Sequence, residues 1–231
     1  MPYWQSYQIN MLLGTLFVID GTDGSGKKTQ TELLAERLKN EGYSVLSISF
    51  PTYGQPSGAL VESYLRGDFG DQAQDINPYV ASTFYAADHF AQSPKIKQAL
   101  SKSTVVVTDR YVTANMAHQG GKFTNRQERR DYLQWVYDFE FTKARLPKPT
   151  INIILHVPTE VSMALVDHRG NVKDIHEKNP THLKQAEETY LEIAELFPDT
   201  VLIECCENGT ILPREKIHEL IWERVSPLLR N

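Results

Sequence analysis

The stretch LFVIDGTDGSGKKTQTELLAERL, residues 16–38, joins an apolar run that ends at Asp20 to a glycine-rich loop and then to a helical pattern. Glycines in such a loop let backbone N–H groups curve around phosphate oxygens, and the helix N-terminus adds partial positive charge. Lys27 supplies a full positive charge toward the β- and γ-phosphates of a nucleotide. The alternative is a tight strand-to-helix turn that binds no ligand. The predicted nucleotide-binding loop consists of Gly21, Thr22, Asp23, Gly24, Ser25, Gly26, Lys27, Lys28 and Thr29.

Lys28 departs from the usual form of this loop, in which a Ser or Thr hydroxyl at the same position binds Mg²⁺. A charged lysine has no acceptor atom and cannot be a metal ligand. Because Mg²⁺ accepts waters and one or two carboxylates, the predicted metal-binding residues are Asp23 in the loop and Asp109 at the end of a later apolar run. Thr29 keeps a hydroxyl, which we assign to the α-phosphate.

The composition excludes several classes of protein. The chain has 231 residues and a formal net charge of -5 with no long basic run, so nothing in it favours a nucleic-acid partner. No apolar run is long enough to span a bilayer, and the first residues lack the basic start and apolar core of a secretory signal. The two cysteines, Cys205 and Cys206, are adjacent and are expected to remain reduced. We therefore expect a cytoplasmic protein without a membrane partner.

Short apolar runs alternate with helical patterns along the whole chain. Besides the helix after the glycine loop, helices are predicted at 57–65, 78–90, 127–143, 160–166, 181–196 and 214–229. Most of the runs lack polar alternation, as do strands that are buried on both faces of a parallel sheet. This order predicts a three-layer α/β fold with a five-stranded parallel sheet, helices on both faces and right-handed crossovers. The predicted strands are at 16–20, 45–50, 104–109, 151–157 and 201–205. We expect one domain over 14–231, preceded by an N-terminal tail over 1–13.

Four further segments follow the loop in a specific order. They read FPTYGQPSGALVESYLRGDFG, YVASTFYAADHF, VVVTDRYVTANMAHQG and DIHEKNPTHLKQAEETYLEIA, and they begin at residues 50, 79, 105 and 174. Together with the loop, they make the chain resemble the thymidylate kinase family of nucleoside monophosphate kinases from residue 16 to about residue 205. The resemblance implies a P-loop kinase fold with a short lid near 167–180 and a homodimer. It also implies phosphoryl transfer from ATP to dTMP, giving dTDP, with Mg²⁺ as a cofactor.

The DRY sequence at residues 109–111 is the most specific of these elements. Asp109 ends a predicted buried strand beside the loop, which suits a carboxylate that organises magnesium. Arg110 can hold phosphoryl oxygens in a bidentate manner and offset the charge that develops during transfer. The resemblance assigns Arg110 to the acceptor phosphate and to the transferring group. A structural Asp–Arg pair at a strand end is the alternative.

The resemblance also assigns residues to the base of the acceptor. Tyr85 aligns with an aromatic ring that stacks on thymine, and Phe84 is the alternative ring. His89 replaces an Arg that donates to thymine O4 in relatives, and it lies one helical turn after Tyr85. Asn115 aligns with the residue that hydrogen-bonds the base edge, and Gln119 lies near it.

Two positions differ from relatives on the sugar and phosphate side of the acceptor. His118 stands where many relatives have Tyr, a residue thought to exclude a ribose 2'-hydroxyl. Between Phe50 and Tyr53, which are expected to line the acceptor site, Thr52 replaces an Arg that holds the acceptor phosphate. These differences leave two other interpretations open: a kinase for another nucleoside or deoxynucleoside monophosphate, and a non-catalytic nucleotide-binding protein of the same fold.

A charged segment, DHRGNVKDIHEKN, occupies the position of the lid. The family divides according to whether a phosphate-seeking Arg lies in the glycine loop or in the lid. This glycine loop has no Arg, so the resemblance predicts a catalytic Arg169 in the lid, with Lys173 as the second candidate. A solvated charged loop is the alternative.

Overall fold

The computed structural model describes residues 14–167 and 174–229. The predicted tail at 1–13 and both lid candidates, Arg169 and Lys173, lie outside these ranges.

Five parallel strands form the central sheet in the order β2-β3-β1-β4-β5. The prediction of a five-stranded parallel sheet is therefore confirmed. The strands are β1 (Leu16–Gly21), β2 (Val45–Ser49), β3 (Val105–Asp109), β4 (Ile151–His156) and β5 (Thr200–Glu204). A short antiparallel pair, β6 (Cys206–Glu207) and β7 (Thr210–Ile211), follows β5.

Both faces of the three central strands, β1, β3 and β4, are buried, as their apolar runs predict. Leu16 and Val18 of β1 pack into one core with Tyr132 and Tyr190. Phe17 and the other alternate residues of β1 pack into a second core on the opposite face. Helices α3, α4, α5 and α7 cover the first face, and α1 and α8 cover the second. This is the expected three-layer arrangement. Its helices are α1 (Lys27–Asn40), α2 (Ala59–Arg66), α3 (Pro78–Ser101), α4 (Val112–Gly120), α5 (Arg126–Tyr137), α6 (Thr159–Asp167), α7 (Pro180–Leu196) and α8 (Arg214–Val225).

Two helical segments differ from the sequence pattern. Helix α3 continues to Ser101 and buries Ile96 and Leu100 in its last turns. Helix α5 is followed by a wider, π-helical turn over Asp138–Lys143, in which the Ala144 N–H donates to the Phe139 carbonyl oxygen five residues earlier. None of the helices in the described ranges has the length and apolar character needed to cross a membrane.

The strand order determines where a ligand can bind. β1 lies between β3 and β4, and Ile19 of β1 is in register with Asp109 of β3. The glycine loop and the residues after Asp109 therefore leave the same edge of the sheet side by side. Strands β2 and β3 lie on one side of β1, and the later strands β4 and β5 lie on the other. Open α/β sheets form a ligand-binding crevice where the strand order changes side in this way.

Candidate active site

The glycine loop between β1 and α1 has the backbone of a phosphate cradle. Gly21 has φ of +137°, and a Cβ there would lie 2.4 Å from the carbonyl oxygen of Leu155. Gly26, with φ of +85°, is the N-cap of α1. L-residues with side chains rarely adopt these backbone angles, so the glycines are required for the chain to curve into the helix N-terminus. The predicted loop is present as a structural element.

Lys27 is buried at the start of α1, whereas Lys28 is exposed and Thr29 is half-buried. The Lys27 Nζ donates a hydrogen bond to the Thr22 carbonyl oxygen at 2.7 Å and lies 3.6 Å from Asp23 Oδ1. The first lysine is thus held inside the loop, and the second projects along its rim. Both line the same small cavity, together with Asp109 and Arg110.

Arg110 connects the loop to the rest of the site. Its backbone has φ of +64°, a left-handed conformation that is costly for a residue with a side chain. The guanidinium donates through Nη2 to Asp23 Oδ1 and through Nη1 to His118 Nε2, the latter at 3.1 Å. The Arg110 N–H donates to the Ile19 carbonyl oxygen. These contacts hold the strained residue between the loop and helix α4.

The charges around the loop are strongly coupled. Burial alone raises the pKa of Asp23, but Arg110 and Lys27 outweigh it and hold this pKa well below its ordinary value. Burial, followed by repulsion from Arg110, lowers the pKa of Lys27. Asp20, at the end of β1, accepts a hydrogen bond from the Tyr190 hydroxyl, and burial raises its pKa to about 6. Asp23 therefore stays ionised, and a phosphate bound here would compete with it for two cations.

The two predicted metal-binding carboxylates differ in their availability. Asp23 already pairs with both Lys27 and Arg110. In Asp109, Oδ2 accepts a long hydrogen bond of 3.3 Å from Ser49, and Oδ1 is buried without a partner in the described part of the chain. An unpaired buried carboxylate oxygen beside a phosphate loop fits Mg²⁺, which prefers oxygen ligands and carries waters. Lys28 contributes no oxygen to such a site.

A second cavity opens on the other side of Asp23 and Arg110. Phe50, Tyr53, Tyr85, His89 and His118, all predicted to contact the acceptor, lie together in its wall. Its lining residues are Asp23, Phe50, Pro51, Tyr53, Leu65, Tyr85, His89, Arg110, Tyr111, Ala114, His118, Asp174 and His176. Mostly aromatic walls with a few charged groups at one end suit a planar base attached to a phosphate.

Three other predicted acceptor residues lie outside that lining, as far as the described residues define it. Phe84 packs against Phe69 and Tyr64, with ring centroids 5.5 and 6.5 Å away. Gln119 is buried, and its Oε1 is 3.4 Å from the Tyr64 hydroxyl. Asn115 is buried behind the wall, beside Glu140. The arrangement favours Tyr85 over Phe84 as the stacking ring.

His89 is held from behind by a buried carboxylate that sequence reasoning missed. Its Nδ1 is 2.6 Å from Oε2 of Glu140, and both side chains are almost completely buried. Asn115 Nδ2 donates to Oε1 of the same carboxylate at 2.9 Å. The Phe50 ring meets the His89 ring edge-on, with centroids 4.9 Å apart. The sequence does not distinguish Glu140 from the other charged residues of its helical segment.

His118 belongs to a stack of three buried imidazoles. The His176 centroid is 5.0 Å from that of His118 and 4.4 Å from that of His182. Their nearest nitrogens lie within 4.8 Å of one another, which makes the trio a candidate for metal binding by residue type. However, the planes of His118 and His176 differ by only 9°, and imidazole lone pairs lie in the ring plane, so these rings do not point at a common ion. Burial lowers the pKa of all three, to about 4 for His182, so the stack is neutral.

Thr52 is part of a hydrogen-bonded corner of the acceptor site. Its backbone N–H donates to Asp88 Oδ2 at 2.7 Å and its hydroxyl donates to Oδ1, while the Ser57 hydroxyl donates to Oδ1 at 2.7 Å. Asp88 is buried in α3, one residue before His89. The residue in place of an Arg thus contributes to the shape of the loop after β2 and brings no charge.

Within the predicted lid, the described residues resume at Asp174. Its Oδ1 accepts hydrogen bonds from the N–H groups of His176 and Glu177, and its own N–H donates to Glu177 Oε2. Burial, with the nearby charges of Asp23 and Glu177, raises the pKa of Asp174 to about 6. This turn places an acid and an imidazole in the wall of the acceptor cavity.

A phosphate loop joined by one arginine to an aromatic cavity defines the class as a P-loop kinase that acts on nucleotides. A family model for thymidylate kinase matches residues 19–219. The chain is 31% identical over 195 residues to a probable thymidylate kinase of Thermococcus gammatolerans, covering 83% of this chain and 88% of that protein. It is 30% identical over 185 residues to thymidylate kinase of Mycobacterium tuberculosis, covering 78% and 85%.

The fold is also that of a solved thymidylate kinase from Candida albicans, with a TM-score of 0.70, 21% identity and coverage of 93% of this chain and 92% of that one. The chain belongs to the thymidylate kinase family. The family indicated by the glycine loop and the four further sequence segments is thereby confirmed.

Proposed function

We propose that this protein transfers the γ-phosphoryl group of ATP to dTMP, giving ADP and dTDP. One observation carries the proposal: Asp23 and Arg110 line both the loop cavity and the aromatic cavity. A donor phosphate in the first cavity and an acceptor phosphate in the second would therefore meet at the same guanidinium. Membership of the family supports ATP as the donor and dTMP as the acceptor.

On the donor side, the loop N–H groups and Lys27 would hold the β- and γ-phosphates. Lys28, exposed at the rim, adds positive charge there without serving as a metal ligand. Asp109, and Asp23 through water, would hold Mg²⁺, which offsets the charge on the transferring phosphates when it is bound. Thr29, half-buried after the two lysines, remains our candidate for the α-phosphate.

On the acceptor side, Arg110 would align the dTMP phosphate with the γ-phosphate and reduce their repulsion. Phosphoryl transfer of this type depends on alignment and charge stabilisation. A monophosphate is already ionised, so the site requires no strong general base. Tyr85 would stack on thymine and His89 would meet its hydrogen-bonding edge, whereas Asn115 lies behind the wall beside Glu140. The neutral face of His118 would lie against the sugar.

The segment between α6 and α7 would act as the lid, with Arg169 as its phosphate-binding residue. A closing lid excludes water, which would otherwise receive the phosphoryl group. Asp174 and His176, at the end of this segment, line the aromatic cavity, which supports a lid that closes over the acceptor. We further propose a single kinase domain over 14–231, a cytoplasmic homodimer and no nucleic-acid partner.

A coupled assay of ADP release tests the function. The purified protein, ATP and Mg²⁺ are combined with dTMP, dUMP, dCMP, dGMP or TMP with ribose, and product nucleotides are identified by chromatography. We expect dTDP as the main product and little ADP without an acceptor. Equal ADP release with and without every acceptor would contradict the proposal, and Lys27→Ala controls for contaminating kinases. Light scattering on the same sample tests the dimer.

A further inference from the structure

We infer that the stack of three buried imidazoles orients Arg110 for phosphoryl transfer. In this stack, His118 is the hydrogen-bond acceptor that fixes the guanidinium, and His176 and His182 hold the His118 ring in place. All three are positioning residues in this role, because they act on the reaction through Arg110. The inference rests on the proposed function, since it assumes that Arg110 meets the transferring phosphoryl group.

The first step is the direction of the hydrogen bond between Arg110 and His118. Arg110 Nη1 lies 3.1 Å from His118 Nε2, and a guanidinium can only donate. Nε2 must therefore be unprotonated, and the single proton of the neutral ring lies on Nδ1. Burial, followed by repulsion from Arg110, lowers the pKa of His118 well below its ordinary value, in agreement with this neutral form. His118 thus holds one branch of the guanidinium.

The second step concerns the charge that Arg110 keeps for the phosphates. Its Nη2 donates to Asp23, a carboxylate that offsets part of this charge. His118 accepts from Nη1 as a neutral group, so it fixes the plane of the guanidinium without offsetting the charge further. A second carboxylate in place of the imidazole would compete with the phosphates for the arginine. The imidazole therefore orients Arg110 and leaves its remaining charge for the reaction.

The third step is the support of the His118 ring. His176 lies flat on it, with ring centroids 5.0 Å apart and planes that differ by 9°. The His182 ring, in the first turn of α7, is 4.4 Å from that of His176. Tyr190 meets the His118 ring edge-on, with centroids 6.0 Å apart. A buried ring that is packed from two directions keeps one orientation, so Nε2 stays directed at Arg110.

The fourth step is the position of His176 itself. Its Nε2 is 2.9 Å from the Tyr64 hydroxyl. The preceding residue, Ile175, is buried in a small core against α2, and its N–H donates to the Leu65 carbonyl oxygen. The turn that carries His176 is therefore anchored to α2. Its ring reaches His118 from a fixed position.

His176→Ala is the first test, with kcat and KM measured for ATP and dTMP. This change leaves Arg110 and its acceptor in place and removes the support of the His118 ring. We expect kcat to fall about tenfold while KM for ATP changes by about twofold or less, because Arg110 is needed at the transferring group and not for binding of the donor. An unchanged kcat, with a lower melting temperature alone, would show a merely structural role and overturn the inference.

His176→Phe separates stacking from hydrogen bonding at the same position. A phenyl ring can lie flat on His118 but cannot bond to the Tyr64 hydroxyl. We expect kcat to stay within about twofold of that of the unaltered protein, because the ring still supports His118. Tyr64→Phe removes the same hydrogen bond from the other side and should also keep its kcat. A loss in His176→Phe as large as that in His176→Ala would overturn the inference.

A double variant tests whether His176 acts through the acceptor. His118→Phe keeps a ring in the stack and removes the nitrogen that accepts from Arg110. We expect kcat to fall about tenfold in this variant and to fall no further when His176→Ala is added, because coupled residues are not additive. Losses that multiply would mean that His176 acts independently of His118, against the inference. The control is His218→Ala, in α8 and outside both cavity linings, which should leave kcat unchanged.

A measurement on the unaltered protein decides the question if the variants do not fold. Nitrogen-15 NMR, with signals assigned by through-bond and through-space correlations, should show His118 unprotonated at Nε2 and protonated at Nδ1 at pH 7. A protonated Nε2 would overturn the inference, because it cannot accept from Arg110. Absence of activity on every monophosphate would instead reject the proposed function, whereas normal activity with a protonated Nε2 would reject only the present inference.

Discussion

The Lys27 ammonium donates a hydrogen bond to the Thr22 carbonyl oxygen at 2.7 Å, across the mouth of its own loop. The lysine is therefore already inside the cradle, where Asp23 at 3.6 Å balances part of its charge. A phosphate that binds to the loop needs only to take the place of the Thr22 carbonyl oxygen and the Asp23 carboxylate as the partner of Lys27. Lys28 has the same charge but is exposed, so the two adjacent lysines should contribute very differently.

We predict that Lys27→Ala lowers kcat by at least about 100-fold, because removing one preorganised electrostatic group commonly has that effect. Lys28→Ala is the matched control and should lower kcat by about tenfold or less. Steady-state assays with ATP and dTMP measure both. Near-normal turnover in Lys27→Ala would contradict the assignment of the phosphate loop.

Arg110→Lys should lower kcat by about 100-fold even though the charge is kept. A lysine lacks the planar fork that reaches Asp23 and His118 at once, and it cannot hold two phosphates in a bidentate manner. Arg66→Lys, at an exposed arginine in α2, is the control and should have little effect. Equal activity of the two variants would mean that Arg110 is a structural residue.

Asp109→Asn should increase the Mg²⁺ concentration needed for half-maximal activity by about tenfold. The buried Oδ1 of Asp109 has no hydrogen-bond partner within the described residues, and Asp109 lines the loop cavity, so this oxygen is our candidate for holding the metal or one of its waters. Titration of activity with Mg²⁺ at fixed ATP provides the measurement. An unchanged Mg²⁺ dependence would shift the metal to Asp23 alone. Asp138→Asn, at a surface acid that pairs with Lys143, is the control.

A fourth prediction concerns stability and pH. His156 at the end of β4 lies 3.0 Å from Glu187 and 2.6 Å from Glu204, and these hydrogen bonds, Glu187 first, raise its pKa to about 8. A histidine whose folded pKa is raised stabilises the fold below its unfolded pKa of about 6.5, and this contribution is lost as the pH rises through 8. Because Glu204 is largely exposed, solvent reduces the contribution to about 1 kcal/mol.

His156→Gln should therefore lower the melting temperature by a few degrees at pH 6 and by much less at pH 9. Scanning calorimetry at both values measures the difference. The same loss at both pH values would show that packing, and not the charge of His156, accounts for the effect.

The central sheet could be predicted from sequence because most of its strands are short apolar runs, and the three central ones are buried on both faces. Helix α4 was not predicted from its residues, VTANMAHQG, because small and polar side chains fill a fully buried helix and leave no amphipathic pattern. The end of α3 was also missed, since Ile96 and Leu100 follow a proline and gave only a weak periodic signal.

Some residues of the site could also be predicted from sequence and others could not. Lys27, Asp109 and Arg110 could be predicted, because each belongs to a short motif of neighbouring residues. Asp88 and Glu140 act through contacts 36 and 51 residues distant along the chain, and no local spacing reveals them. The resemblance predicted that His89 reads the base, but its buried partner, Glu140, became apparent only from the structure.

The wide turn at Asp138–Lys143 sets the length of chain that brings Glu140 to His89. Each residue of an α-helix rotates the chain by about 100°, so the loss of one residue before Glu140 would turn its carboxylate away from His89. During evolution, a single-codon deletion at this point would remove the buried partner of one cavity residue while every residue in the cavity wall stayed the same. Alignments that score only wall residues would not detect such a change.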